Sequence, residues 1–154
     1  MERNLKLIGK TIEDLKVISA HLQDSIVHLK DIAHLKRNRI FLIQLNRFMW
    51  EDVEKGIFRK SRRVRTVLKF DHVIEVKSKK IFQNSDDKFL DFLALETNIK
   101  QDESFEVKLI FAGDSTIRIK SEVLEVTLDD QGEPWETKNE PKHKFKWLLK
   151  KFFK

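Results

Sequence analysis

The residue types that could do covalent chemistry gather first in Ser19-Ala20-His21-Leu22-Gln23-Asp24. A hydroxyl, an imidazole and a carboxylate are the parts of a nucleophile, its base and the acid that orients the base. On a helix His21 and Asp24, three apart, are neighbours, whereas Ser19 and His21, two apart, point to different sides. A local triad therefore fails on geometry, and a partly exposed His21 beside Asp24 is the simpler expectation. The other histidines, His28, His34, His72 and His143, form no pair at helical ligand spacing. His28 and His34 share a parity if one strand holds both, but six residues of strand separate them by ~20 Å, too far for one metal without a bend. The chain has no cysteine and four widely separated glycines, which excludes thiolate chemistry, cysteine metal sites and glycine-rich phosphate loops. Its carboxylates show no spacing that defines an acid–base pair. No catalytic residue, metal site or cofactor is expected.

A second cluster is Asn46-Arg47-Phe48-Met49-Trp50-Glu51. Arg47 shares strand parity with Phe41, Ile43 and Leu45, so it points towards the core. A buried guanidinium is costly unless carboxylates and carbonyls surround it. Glu51, Asp52 or an acid of the C-terminal half could supply them, which makes a structural ion pair at the strand end the first expectation. The functional alternative is a small-anion or ligand site around Asn46, Arg47 and Trp50, joined by Ser19, His21 and Asp24 if the helix packs on that strand end. Convergence of His21, Asp24, Arg47 and Glu51 in one pocket would also revive an enzyme.

The third feature is the tail. The chain carries 31 Lys and Arg against 25 Asp and Glu, a net of +6. Residues 141–154 contain six lysines and no acid, so positions 1–140 hold 25 of each sign and are neutral. If Phe145 to Lys154 is helical, Phe145, Leu148, Leu149, Phe152 and Phe153 fall within a ~140° arc, with Lys146, Lys150 and Lys151 on the remainder and Trp147 the apolar exception. Such a segment suits an anionic membrane surface or an acidic protein, with Lys144, Lys146, Trp147, Leu148, Lys150, Lys151 and Phe152 as the contacting residues. Docking on the protein's own body, or a frayed end, is the competing expectation. Nucleic acid is the poorer partner. The run Arg59-Lys60-Ser61-Arg62-Arg63-Val64-Arg65 has no aromatic residue alternating with its charges to stack bases, and it reads as a solvated loop entering an edge strand.

The elements that must hold these residues are mostly strands. Thr11 and Asp14 form a capping box for a helix in which Ile12, Leu15, Ile18 and Leu22 make one apolar stripe with Val17 beside it. The period then changes to two. Strands are expected over Ile26–Leu35 and Ile40–Phe48 around a polar turn, then over Val64–Phe70, Val73–Lys77 and Phe89–Thr97. A hairpin pairs Phe105–Phe111 with Ile117 and Ile119. Leu124, Val126 and Leu128 continue at the opposite parity, which predicts a bulge or corner near Ser121–Val123. Gln131-Gly132-Glu133-Pro134 is expected to end regular structure. The fold class is α+β: an N-terminal helix on a mostly antiparallel curved sheet, sandwich or partly open barrel of about eight short strands. One domain is expected over 1–140, followed by the tail over 141–154.

Glu13 to Ser25, the blocks Leu45-Asn46-Arg47-Phe48 and Trp50-Glu51, Leu68-Lys69-Phe70 with Val73, Phe111-Ala112-Gly113-Asp114 with Ile117-Arg118, and Pro134-Trp135 together resemble domain-of-unknown-function family 2948, small bacterial proteins. The resemblance implies no activity. It points to Ser19, His21, Gln23, Asp24, Asn46, Arg47, Trp50 and Glu51 as the residues to watch. The tail, rich in Lys and Phe, departs from the family pattern, so the expectation drawn from it does not extend to the family.

No apolar run approaches the ~20 residues that span a bilayer, and the early Glu2 and lack of an apolar stretch do not fit a signal peptide. A cytoplasmic protein is expected, with peripheral contact at the inner face of the membrane through its tail. The expected function is a binding or adaptor module rather than an enzyme.

Overall fold

The computed structural model describes residues 4–54, 56, 61–81 and 88–137. Nine strands form one antiparallel sheet in the order β1–β9–β4–β3–β2–β6–β7–β8–β5, and the sheet is not closed. The strands are β1 (Lys6–Gly9), β2 (Ile26–Leu35), β3 (Ile40–Phe48), β4 (Arg62–Phe70), β5 (Val73–Lys79), β6 (Phe89–Ile99), β7 (Phe105–Phe111), β8 (Thr116–Ser121) and β9 (Val126–Glu136). Helix α1 spans Ile12–Leu22, and a short α2 spans Trp50–Glu54. The expected sheet-rich, mostly antiparallel fold is present, with nine strands and two α-helices among the described residues.

Helix α1 starts where its cap dictates. The Thr11 hydroxyl accepts from the Asp14 N–H at 3.1 Å, and the Asp14 carboxylate accepts from the Lys10 and Thr11 N–H groups at 3.0 and 3.2 Å. Leu15, Ile18 and Leu22 are buried together with Ser19 and Ala20, and Val17 is exposed, so the buried face turns away from Val17. A methyl group at Gly9, the last residue of β1, would stand 2.9 Å from Leu15 Cδ2, so the missing side chain lets the helix approach that strand. Replacing Thr11 by Ala is expected to cost about 1 kcal/mol, read as a lower denaturant midpoint with an unchanged slope. Hydrogen bonds to its carboxylate, the Lys10 N–H first, hold the Asp14 pKa below its ordinary value. The Asp14 contribution is therefore present above the unfolded carboxylate pKa and is lost as pH falls through the folded one.

The hydrophobic cluster joins both ends of the sheet order. Phe41, Ile43, Leu45, Leu68 and Phe70 of β3 and β4 share it with Val107, Leu109, Ile117 and Ile119 of β7 and β8, and with Leu15, Ile18 and Leu22 of α1. Two features bend the sheet to bring these together. Strand β2 slips between Val27 and Ile32, where five residues of chain advance against only two of β3. Strand β6 pairs with β2 through residues 89–91, with flanking backbone bonds from Leu29 to Lys88 and between Phe92 and both Asp24 and Ser25, and then continues beside β7.

The predicted limits of β2 and β3 coincide with those observed, and Val107 and Leu109 face Ile119 and Ile117 across the predicted hairpin. The parity change after Ile119 is a corner, since the chain leaves β8 at Ser121 and resumes in β9 beside β1 and β4. The expectation that Gln131–Pro134 ends regular structure is corrected. Gly132, at φ +74°, lets β9 bulge against β4 between Arg65 and Arg63 and rejoin it at Trp135 and Glu136. Strand β1, absent from the sequence reading, pairs four residues with β9.

The basic run is corrected as well. Arg62 to Arg65 lie in β4, a central strand between β3 and β9, not at an edge. Arg62 binds Asp52 and Arg63 is buried, which leaves Arg65 as the exposed one of the three. The acidic strand β9 lies directly alongside, with Glu136 opposite Arg62 and Asp130 opposite Thr66. Segregated charges in the sequence are thus neighbouring strands in the fold. Arg59, Lys60 and residues 141–154 lie outside the described residues.

Candidate functional site

The end of β3 carries the densest polar construction in the described structure. Alternation along β3 sends Phe41, Ile43, Leu45 and Arg47 to the buried face. The same alternation along β9 sends Val126, Leu128 and Asp130 inward. Strand β4 lies between them, and Leu45, Thr66 and Asp130 stand side by side across the three strands. Arg47, with no exposed surface, reaches over β4 to Asp130. Its Nε and Nη2 donate to the two Asp130 oxygens at 2.9 and 2.8 Å. Helix α2 begins two residues after β3 and returns Glu51 to the same guanidinium, which donates through Nη1 and Nη2 at 2.9 and 2.7 Å. Asp130 also accepts from the Leu5 N–H at 3.1 Å, so the N-terminal strand is tied to the same carboxylate.

Burial alone would pull the Arg47 pKa down. Hydrogen bonds donated to Asp130 and Glu51, reinforced by their charges, more than reverse this and leave it above the ordinary guanidinium value. Two carboxylates hold the fork in bidentate fashion. An incoming anion would have to displace one of them.

A second set lies on the opposite face of β3, around Phe48. Trp50 is fully buried, its ring centroid 4.5 Å from that of Phe48 and its Nε1 donating to the Gln23 carbonyl at 2.9 Å. Arg63, opposite Phe48 in the ladder, donates through Nη1 to the carbonyls of Asp24 and Asn46, each at 3.1 Å. Its Cζ stands 5.8 Å from the Phe48 centroid. Burial holds the Arg63 pKa below its ordinary value, with the charges of Asp24 and Asp91 acting the other way. These bonds lock the turn after α1, whose Asp24 takes the left-handed conformation at φ 62°, onto the end of β3.

Arg47 and Glu51 therefore meet directly, while Asn46 and Asp24 meet through Arg63, and Gln23 meets Trp50. Ser19 stands apart from Arg47: its buried hydroxyl accepts from the Leu95 N–H at 3.0 Å, joining α1 to β6. His21 is half-buried in the last turn of α1. His28 packs edge-on against Phe89 with centroids 4.5 Å apart, and His34 lies beside Phe41. Among the described residues no three His, Cys, Asp or Glu side chains could hold a metal ion, and no helix is long and apolar enough to cross a membrane. Lys144, Lys146, Trp147, Leu148, Lys150, Lys151 and Phe152 lie outside the described residues. Sequence reasoning left the main partner of Arg47 unnamed. The signal that finds it is parity, because Asp130 is the acid that continues the inward series Val126, Leu128.

Fold and site together define an open antiparallel sheet whose end is braced by buried arginine–carboxylate contacts. The chain belongs to the family described as Protein of unknown function (DUF2948), whose model matches residues 5–143. No curated protein and no solved structure matches it.

Proposed function

We propose that the protein is a non-enzymatic binding or adaptor module whose folded body carries residues 141–154 to an anionic surface, most directly the inner face of a membrane. The observation that carries this reading is the allocation of charge: six tail lysines hold the whole net charge of +6, and the rest of the chain is neutral. The internal use of the body's arginines supports it. Arg47 and Arg62 are paired with carboxylates and Arg63 with carbonyls, so these three offer little to an outside anion. A ten-residue helix is marginal alone in water, so the tail folds as Phe145, Leu148, Leu149 and Phe152 enter the lipid interface and the lysines meet headgroups. Vesicle binding of the full chain, with the six lysines intact or changed to Gln, tests this.

The alternative ligand site around Asn46, Arg47 and Trp50 has less behind it. Trp50 is fully buried and the Arg47 fork is held by Asp130 and Glu51.

A further inference from the structure

Among the described residues no strand joins the later half of β2 to β5. Strand β6 begins at Phe89, opposite His28, and the Leu29 N–H still donates to the Lys88 carbonyl at 3.1 Å; beyond that point no strand pairs with β2 on this side among the described residues. Strand β5 ends the sheet order, paired among the described residues with β8 alone. Between these two strands lies a cleft of about 460 Å³, within the ~300–1,000 Å³ usual for small-molecule sites. Leu29, Ile32, Phe41, Val76 and Ile117 give it apolar walls, and Phe41 and Ile117 belong to the buried core, so it reaches the interior of the fold. The polar groups are few. His34, Lys36 and Ser78 contribute to the lining, and no carboxylate does so among the described residues.

We propose that this cleft binds a single-chain amphiphilic carboxylate, with the hydrocarbon against Leu29, Ile32 and Val76 and the carboxylate at Lys36 and His34. The charge pattern selects that class. A purely apolar ligand would leave the Lys36 ammonium unused, and a small hydrophilic anion would leave the apolar walls uncovered. Lys36 is exposed in the turn between β2 and β3, so its ammonium reaches the mouth without being buried. Burial first, then the Lys36 charge, holds the His34 pKa below its usual value, so at neutral pH the imidazole is neutral and can donate one N–H. The proposal does not depend on the tail reading and concerns ligand taken up from water.

The experiment is titration calorimetry of the full chain with sodium decanoate below its micelle concentration, with decanol as the uncharged comparison. Saturable one-to-one binding of decanoate is expected. Lys36→Glu is expected to weaken decanoate about tenfold while leaving decanol within about twofold. Val76→Trp, on the edge strand, is expected to abolish both by filling the cleft while the thermal midpoint stays close to that of the parent. The variant with all six tail lysines changed to Gln is expected to bind decanoate as the parent does, which separates this site from the tail. Non-saturable heats, equal decanoate affinity for parent and Lys36→Glu, or unchanged binding to a folded Val76→Trp variant would overturn the proposal.

Discussion

Replacing Asp130 by Ala is expected to destabilise the protein by about 3 kcal/mol or more, the range for breaking a buried ion pair by removing one partner. Asp130 supplies the acceptor for Arg47 Nε and one of two for Nη2, and it takes the Leu5 N–H as well. Without it, a guanidinium with no exposed surface keeps only Glu51, and no solvent can reach the stranded donors. Glu51→Ala is expected to cost less, because Glu51 is 20% exposed and its loss leaves Asp130 in place. Chemical denaturation checks both, with the order of the two losses as the readout. The pair Arg47→Met and Asp130→Leu is expected to recover most of what Asp130→Ala loses, since apolar residues of similar volume often replace a buried pair at little cost. If Asp130→Ala cost no more than an ordinary surface substitution, within ~0.5 kcal/mol, the brace would not exist as described.

The brace also marks where sequence reasoning succeeded and where it stopped. Period-two alternation along Ile40–Phe48 is a local property, and it was enough to turn Arg47 inward and set the limits of β2 and β3. The capping box at Thr11 and Asp14 and the facing of Leu109 with Ile117 are equally local, and they were equally legible. What escaped was set by distant pairing. Four residues, Lys6–Gly9, are too few to show a period, and they are a strand only because Val126–Asp129 lie beside them. Gln131–Pro134 has the composition of a turn, yet β4 draws the chain back into register beyond it at Trp135. Arg63 looked like surface charge in a basic run, and it is buried because Phe48 and two carbonyls receive it. The pairing of Arg47 with Asp130 joins residues 83 apart, so alternation shows that each faces inward but not that they meet.

Removing the tail's charge is the larger predicted effect on function. Each lysine near an anionic bilayer contributes about 1 kcal/mol, so six give up to ~6 kcal/mol, or roughly four decades in affinity. The lysines act through a field that salt screens within ~10 Å, so binding is expected to weaken steeply as ionic strength rises. Phe152→Ser with Leu148→Ser is expected to weaken it by a different route, removing apolar burial while leaving the salt dependence intact. Both variants are expected to keep the parent's thermal midpoint, because in this account the tail's side chains serve the lipid surface and not the folded body.

The most direct measurement is co-sedimentation of the full chain with phosphatidylglycerol vesicles and with neutral phosphatidylcholine vesicles. The parent and the variant with Lys142, Lys144, Lys146, Lys150, Lys151 and Lys154 all changed to Gln are compared across a salt series. The account predicts salt-sensitive binding of the parent to the anionic vesicles, weak binding to the neutral ones, and loss of the anionic binding in the variant. Equal, salt-insensitive behaviour of the two proteins would contradict it.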